Sequence, residues 1–305
     1  MWANVSVFCF LASYLVSWGL ELSRLLGRAR WNHLAGLGFA TAGLLAQTIY
    51  LMNRAQRTDL PPLLSSAHDW LIVLTWVLVL AYLLLGIAYR EIALGAFAIP
   101  VVLALILPTY LMPDPDFKTE PGRVQALKEA ERSWTMLHAS SILLGMGSVA
   151  VGLVAGMMYL VQHRRLKSRS FARTGWQMPS LERLAQINRW SVIVAFVSLT
   201  VGFGSGIILS LFPETPGELV RFDDPVVIVS GFLWAGLTVV VVWQLTHRGQ
   251  SGRQIALLNI ASCGFLLITV VGLKLLVGGS GFHTAPVRLN AEAQTVPYPV
   301  HARAK

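Results

Sequence analysis

Charge is scarce in this chain. Only 13% of its 305 residues are Asp, Glu, Lys or Arg, against 55% hydrophobic, and the mean hydropathy is +0.61. An ordinary soluble domain is less apolar than this. Acids are scarcer still, 15 against 24 Lys and Arg. The resulting charge of +9 does not mark a nucleic-acid partner, because the arginines fall in short segments between long apolar runs. Cysteine is limited to Cys9 and Cys263, each inside an apolar run, so both are expected to be buried as small hydrophobes. Without Cys-x-x-Cys-His the chain is not itself a c-type cytochrome. It also lacks Gly-x-Ser-x-Gly, His-Glu-x-x-His and a phosphate-binding loop, which leaves enzymatic chemistry little to stand on. No zinc-type cluster and no fixed-period repeat stands out, so a structural zinc site and an inverted-repeat transporter are unsupported.

What is present is apolar length. Allowing about 18 to 25 residues per membrane crossing, eight runs fall near 4–21, 34–52, 70–88, 92–112, 134–161, 191–212, 225–245 and 254–277. Helices are the economical form for such runs, since each peptide group in hydrocarbon must find its partner within its own segment. The expected fold is an all-α polytopic membrane protein, a bundle of eight transmembrane helices. Residues 1–284 form that bundle and 285–305 an external tail too polar and proline-rich to order. The first run, with no basic segment before it, reads as a retained helix and not a signal peptide.

Charge sets the expected orientation. Thirteen Lys and Arg against three acids, Glu21, Glu91 and Glu182, follow spans 1, 3, 5 and 7; the other face carries ten Lys and Arg against twelve acids. By the positive-inside rule both termini are external. Ser66 and Asp69 read as a capping pair before span 3, Arg123–Arg132 as a short charged helix, and Pro179-Ser180-Leu181-Glu182 as a helix start.

Small residues form stripes inside two spans. His138, Ser141, Gly145, Ser148, Gly152 and Gly156 recur at steps of three or four, and so do Ser198, Gly202, Gly206 and Ser210. Such stripes let helix backbones approach closely. His138 shares its stripe and is therefore directed into the bundle, where an imidazole needs a partner. His283 follows a glycine-rich turn, 278–281, on the same external face. Two neutral imidazoles facing one cavity are suited to a metal or a haem iron. His33 and His163, at basic helix ends, are expected to snorkel; His68 and His301 lie in external segments.

Several stretches then resemble a known family, the CcsA/HemX-like cytochrome c assembly proteins. Residues 61–76, PPLLSSAHDWLIVLTW, are similar to its "P-x-S-N-x-x-E…W", with Ser66 and Asp69 in place of Asn and Glu. Leu94–Pro100 resembles "L-G-x-F-x-x-P", and Trp134–His138 resembles "W-x-x-x-H". Tyr159–Gln162, Leu166-Lys167 and Pro179–Glu182 resemble the "Y-L-x-Q…L-K…P-x-L-E" connection. His247-Arg248, Gly264-Phe265 and Gly281–His283 resemble "L-H-x-R…G-F…G-L-H-S-Y". The resemblance implies a multi-pass protein of the bacterial inner membrane, without evident catalysis, that handles haem for c-type cytochromes. It implies His138 and His283 as external ligands of the haem iron, His247 in a lower histidine set, and haem b, apocytochrome c and other assembly proteins as partners. Trp134 begins the matching central motif.

One departure bears on function. Where haem-carrying members hold "W-G-x-x-W-x-W-D", residues 211–225 here hold no tryptophan; Asp223 or Asp224 keeps the acidic end, and Phe212 and Phe222 are its only aromatics. Haem occupancy is accordingly expected to be weak or transient, and the HemX-like branch, tied to control of haem synthesis, is favoured. The alternatives are a scaffold whose basic 164–189 segment docks a partner, and a small-molecule permease using the glycine-rich span 6 and Lys274.

Overall fold

The structure, a computed structural model, describes residues 5–26, 30–58, 63, 67–88, 94–111, 132–167, 179–211, 225–246, 252–254, 256–261 and 264. Seven long helices follow in chain order: α1 Val7–Leu26, α2 Arg30–Thr58, α3 Ala67–Ala88, α4 Gly95–Leu111, α5 Arg132–Lys167, α6 Leu181–Leu211 and α7 Pro225–Thr246. Residues 256–261 are also helical, within the eighth expected span. Five of the helices are long and apolar enough to cross a membrane, and Val7–Ser23 and Gly95–Tyr110 are shorter apolar segments. Residues 212–224, the charged stretch 123–131, His247, Cys263, Lys274, His283 and the tail lie outside the described residues, as does Ser66.

The helices pack as two units. α1 to α4 enclose a core of Phe10, Tyr14, Tyr50, Ile72, Val79, Tyr82, Ile99, Val102 and Ile106. α5 and α6 form the most extensive pair, with α7 against α6. Trp70, Leu71, Leu74, Val101, Leu105, Met146, Val149 and Ala195 join the units across α3, α4, α5 and α6. Facing outward are Phe8, Trp31, Leu45, Leu84, Leu144, Val197, Phe232 and Val239, all exposed. A surface this apolar suits lipid and would drive association in water. Trp31 and Trp190 are exposed toward the basic end and Trp134 toward the other, the positions of an interfacial aromatic belt.

Local chemistry explains the helix ends. α6 begins after Ser180, whose Oγ accepts from the Arg183 N–H at 3.3 Å and whose carbonyl accepts from the Leu184 N–H at 3.0 Å, with Glu182 in the first turn. That is the helix start expected from Pro179–Glu182. α5 spans 36 residues and α6 spans 31. At 1.5 Å per residue these are roughly 54 and 46 Å, longer than a hydrocarbon layer of about 30 Å.

Three expectations change. His33 does not snorkel: it is 6% exposed and its Nδ1 lies 2.8 Å from Glu21 Oε1. Glu21 in turn is inside the bundle, not in the loop that follows α1. Cys9 is exposed on the outer side of α1, while its neighbours Phe10 and Leu11 are buried in the core. At the other end of the unit, Asp69 is fully buried between Arg54 Nε at 3.0 Å and His68 Nδ1 at 3.2 Å. His68 Nε2 donates to the Thr109 carbonyl at 3.1 Å, an acceptor in the last turn of α4 that has no partner within its own helix. One buried carboxylate thus ties α2, α3 and α4 together. Asp69→Ala removes the carboxylate from a buried Arg54 and His68, and is expected to cost roughly 3–5 kcal/mol; thermal unfolding of the purified protein in detergent measures it, and a loss below about 1 kcal/mol would contradict this role.

Candidate functional site

The close approach of α5 and α6 rests on absent side chains. A Cβ at Gly145 would lie 2.7 Å from Leu199 Cγ, and one at Gly202 would lie 2.9 Å from Ile142 Cγ1. One at Gly206 would lie 2.8 Å from Cε1 of His138 and 3.1 Å from its Nδ1. The stripes therefore pack as expected, and Gly206 has a more particular role, since it leaves the space that the imidazole occupies.

His138 is half-buried, on the second turn of α5. Its Nδ1 lies 2.7 Å from the Gly202 carbonyl oxygen, and Ser205 Oγ donates to that same oxygen at 2.9 Å while lying 3.5 Å from Nδ1. A carbonyl only accepts, so Nδ1 carries the proton. In a neutral ring Nε2 is then the nitrogen with the lone pair, the form that binds a metal. A ligating histidine fixed through its other nitrogen by a backbone carbonyl is the usual arrangement around bound metals. Trp134, one helical turn before His138 on the same side of α5, is exposed.

Beside this seat, Phe203 stacks on Trp234 of α7 with ring centroids 5.7 Å apart and planes 10° from parallel, and Phe196 stacks on the same indole at 6.5 Å and 18°. Trp234 Nε1 donates to Thr200 Oγ1 at 3.0 Å, which holds the indole in place. The sequence reading did not single out this aromatic group. Its signal was Phe196, Thr200 and Phe203 at steps of four and three on one helix, opposite the tryptophan in the middle of span 7.

Of the residues expected at the site, the structure places Trp134 and His138 on one side of α5. His247, His283, Asp223 and Asp224 lie outside the described residues. Among the described residues no group of three or more His, Cys, Asp and Glu is arranged to hold a metal ion. A haem iron asks less of the protein, because the macrocycle supplies four ligands and the protein only the axial ones. The oriented imidazole of His138 fits that requirement.

Comparison with known proteins decides the family. Residues 64–280 match the family described as cytochrome C assembly protein. The chain belongs to that family. It is 26% identical over 245 residues to the cytochrome c biogenesis protein CcsA of Prochlorococcus marinus, covering 72% of this chain and 75% of the relative. It is similar to the CcsA of a Synechococcus strain, at 25% over 304 residues, 91% and 93% of the two chains. The CcsA of Guillardia theta is 23% identical over 300 residues, 92% and 94% of the two chains. No solved structure matches. These relatives carry the CcsA name, and the expected leaning toward a HemX-like branch finds no support in them. Family membership and the outward-facing apolar helices together make this a multi-pass membrane protein.

The seat yields a stability test. Gly206→Ala and Gly145→Ala each force a neighbour to move and are expected to cost about 1–3 kcal/mol, the usual range for overpacking. Gly204→Ala meets nothing within 4 Å and is expected to leave stability unchanged or slightly raised. Thermal unfolding of the three variants in one detergent separates them; equal behaviour would remove the special role of Gly206.

Proposed function

We propose that this protein handles haem during the assembly of c-type cytochromes, with His138 as one ligand of the haem iron. The observation that carries the reading is the His138 seat: Nδ1 is held by the Gly202 carbonyl, and Nε2 is the ring's basic nitrogen. Its relatives are named as cytochrome c biogenesis proteins, which supports the same direction.

In this reading His283 would supply a second imidazole from the external end of the bundle, and His247 would belong to a lower histidine set on the basic side. Trp134, Asp223 and Asp224 border the external site. Haem b, when bound, would supply an iron that takes imidazole ligands; the protein's own part is to hold His138 in one tautomer and to shield one side of the site with apolar helices. The aromatic group Phe196, Phe203 and Trp234 adds flat apolar surface next to α6. Because the 211–225 segment lacks tryptophan, the bound state is weak or transient, as a protein that passes its cargo on requires. The recipient is apocytochrome c, with other assembly proteins as membrane partners.

The chain crosses the bacterial inner membrane eight times, residues 1–284 forming the bundle and 285–305 an external tail. Thirteen basic residues on one side against ten on the other, with the acids skewed oppositely, support external termini. Reporter fusions after Arg169 and after Arg303 are expected to read cytoplasm and exterior; finding both on one side overturns the topology.

Haem titration tests the site itself. Absorbance of the purified protein on adding haem is expected to show saturable binding that His138→Ala weakens at least tenfold, about 1.4 kcal/mol or more. The His138→Ala/His283→Ala double variant is expected to bind no better than detergent alone. Affinity equal to the parent's would exclude this pair.

A further inference from the structure

The N-terminal unit holds an acid–base pair that takes no part in the His138 seat. Glu21 of α1 is 0% exposed and His33 of α2 is 6% exposed. His33 Nδ1 lies 2.8 Å from Glu21 Oε1, and Tyr82 of α3 donates to the same oxygen at 3.4 Å. Glycines shape the space around the carboxyl group. A Cβ at Gly95 of α4 would lie 2.8 Å from both Glu21 Cγ and Tyr82 Oη, and one at Gly36 would lie 3.6 Å from Glu21 Cγ and Oε1. Ser17, one turn before Glu21, fixes the facing backbone by donating to the Gly36 carbonyl at 2.8 Å. Four helices converge on one carboxyl group.

Burying a carboxylate at this depth is costly, and an ionisable group inside apolar helices is by default a candidate functional site. We propose that Glu21, His33 and Tyr82 form a proton-binding site that takes up and releases one proton on the basic face of the bundle. With the proton absent, Glu21 is a carboxylate accepting hydrogen bonds from His33 Nδ1–H and Tyr82 O–H, and the pair carries one negative charge. One proton taken from water neutralises the pair, settling on the imidazole or on the carboxyl oxygen; its release restores the charged form. No electron moves and no bond between heavy atoms changes.

Both groups lie near the basic ends of their helices. Glu21 lies five residues before the end of α1 and His33 three after the start of α2. At 1.5 Å per residue these are about 8 and 5 Å from the helix ends. Half-buried Asn32 and Ser23, joined by a 2.9 Å hydrogen bond, lie on that stretch. In the other direction the next polar layer is Gln47, fourteen residues further along α2, which accepts from Tyr14 Oη at 2.6 Å and donates to Thr75 Oγ1 at 2.9 Å. Of the described groups facing the pair, Tyr82 is the titratable one from α3, while Gly36 and Gly95 present only backbone; the side chains of Arg24, Arg28, Arg30, Arg90 and Glu91 lie outside the described residues.

The test is infrared difference spectroscopy of the full chain in lipid, between buffers at about pH 5 and about pH 8, the window in which histidine changes charge. The parent is expected to show imidazole and carboxyl changes that rise and fall together. Glu21→Gln and His33→Gln are each expected to remove the same coupled imidazole and carboxyl component from the parent spectrum, leaving the signals of the other histidines and acids, and to lower the protons released per molecule on alkalinisation by about one. Tyr82→Phe, the mildest change, keeps the pair and is expected to shift the carboxyl band. Parent-like spectra in Glu21→Gln, or an unmoved carboxyl band in Tyr82→Phe, overturn the proposal. So does a parent with no paired changes. Haem binding is unaffected by these outcomes, so failure here is distinct from failure at His138.

Discussion

Backbone contact between α5 and α6 is the constraint on which the rest of the C-terminal unit depends. In lipid, helices gain little from hiding apolar surface, since the tails around them are equally apolar. Association then relies on van der Waals contact and on interhelical hydrogen bonds. Gly145, Gly202 and Gly206 supply the first by leaving no Cβ between the helices. The His138 to Gly202 bond supplies the second. The two are not independent, because the carbonyl comes within 2.7 Å of the imidazole only if Gly206 stays bare. Positioning of the histidine and packing of the helices are one feature.

The N-terminal unit solves the same problem differently. Its helices are joined by buried polar contacts in three layers: Glu21, His33 and Tyr82; then Tyr14, Gln47 and Thr75; then Arg54, Asp69 and His68. Each layer draws from at least two helices, so sliding one helix by a turn would break all three at once. Apolar residues such as Ile72 and Val79 fill the intervals and set the distance between helices. Specificity of register comes from the polar layers, whose members on α2 are His33, Gln47 and Arg54, with Ala40 keeping the same face.

The helical architecture was legible because apolar length and small-residue spacing are local properties. Each of the seven helices overlaps one apolar run, although α2 and α5 run about six residues past theirs and α6 begins ten residues before its own, and the Ser180 helix start is a local hydrogen-bonding pattern. His138 was legible for the same reason, since its stripe fixes its direction whatever the rest of the chain does. His33 was not. Taken alone, a histidine beside Arg30 at a helix end reads as a snorkelling residue; only the fold of α1 onto α2 puts Glu21, twelve residues earlier, against it. Asp69 shows the same limit. Its position suggested a cap, whereas its buried partners are Arg54, fifteen residues away on another helix, and the adjacent His68.

Aromatic surface around α6 is distributed differently from the pattern that the family resemblance implies. Members of the family that carry haem concentrate tryptophan in the segment after this helix, and residues 211–225 here hold none. Aromatic surface has not vanished from the unit. Phe196, Phe203 and Trp234 form a stack along α6 and α7, deeper in the helices and fixed by the Thr200 hydrogen bond. A loop tryptophan can move with its loop, whereas a stack built on two helices moves only if the helices do. Phe203 directly follows Gly202, the residue whose carbonyl orients His138, so a displacement of α6 carries both the stack and the imidazole. Any change in the tilt of α6 therefore reaches the His138 imidazole directly, so the orientation of that ring is tied to helix packing.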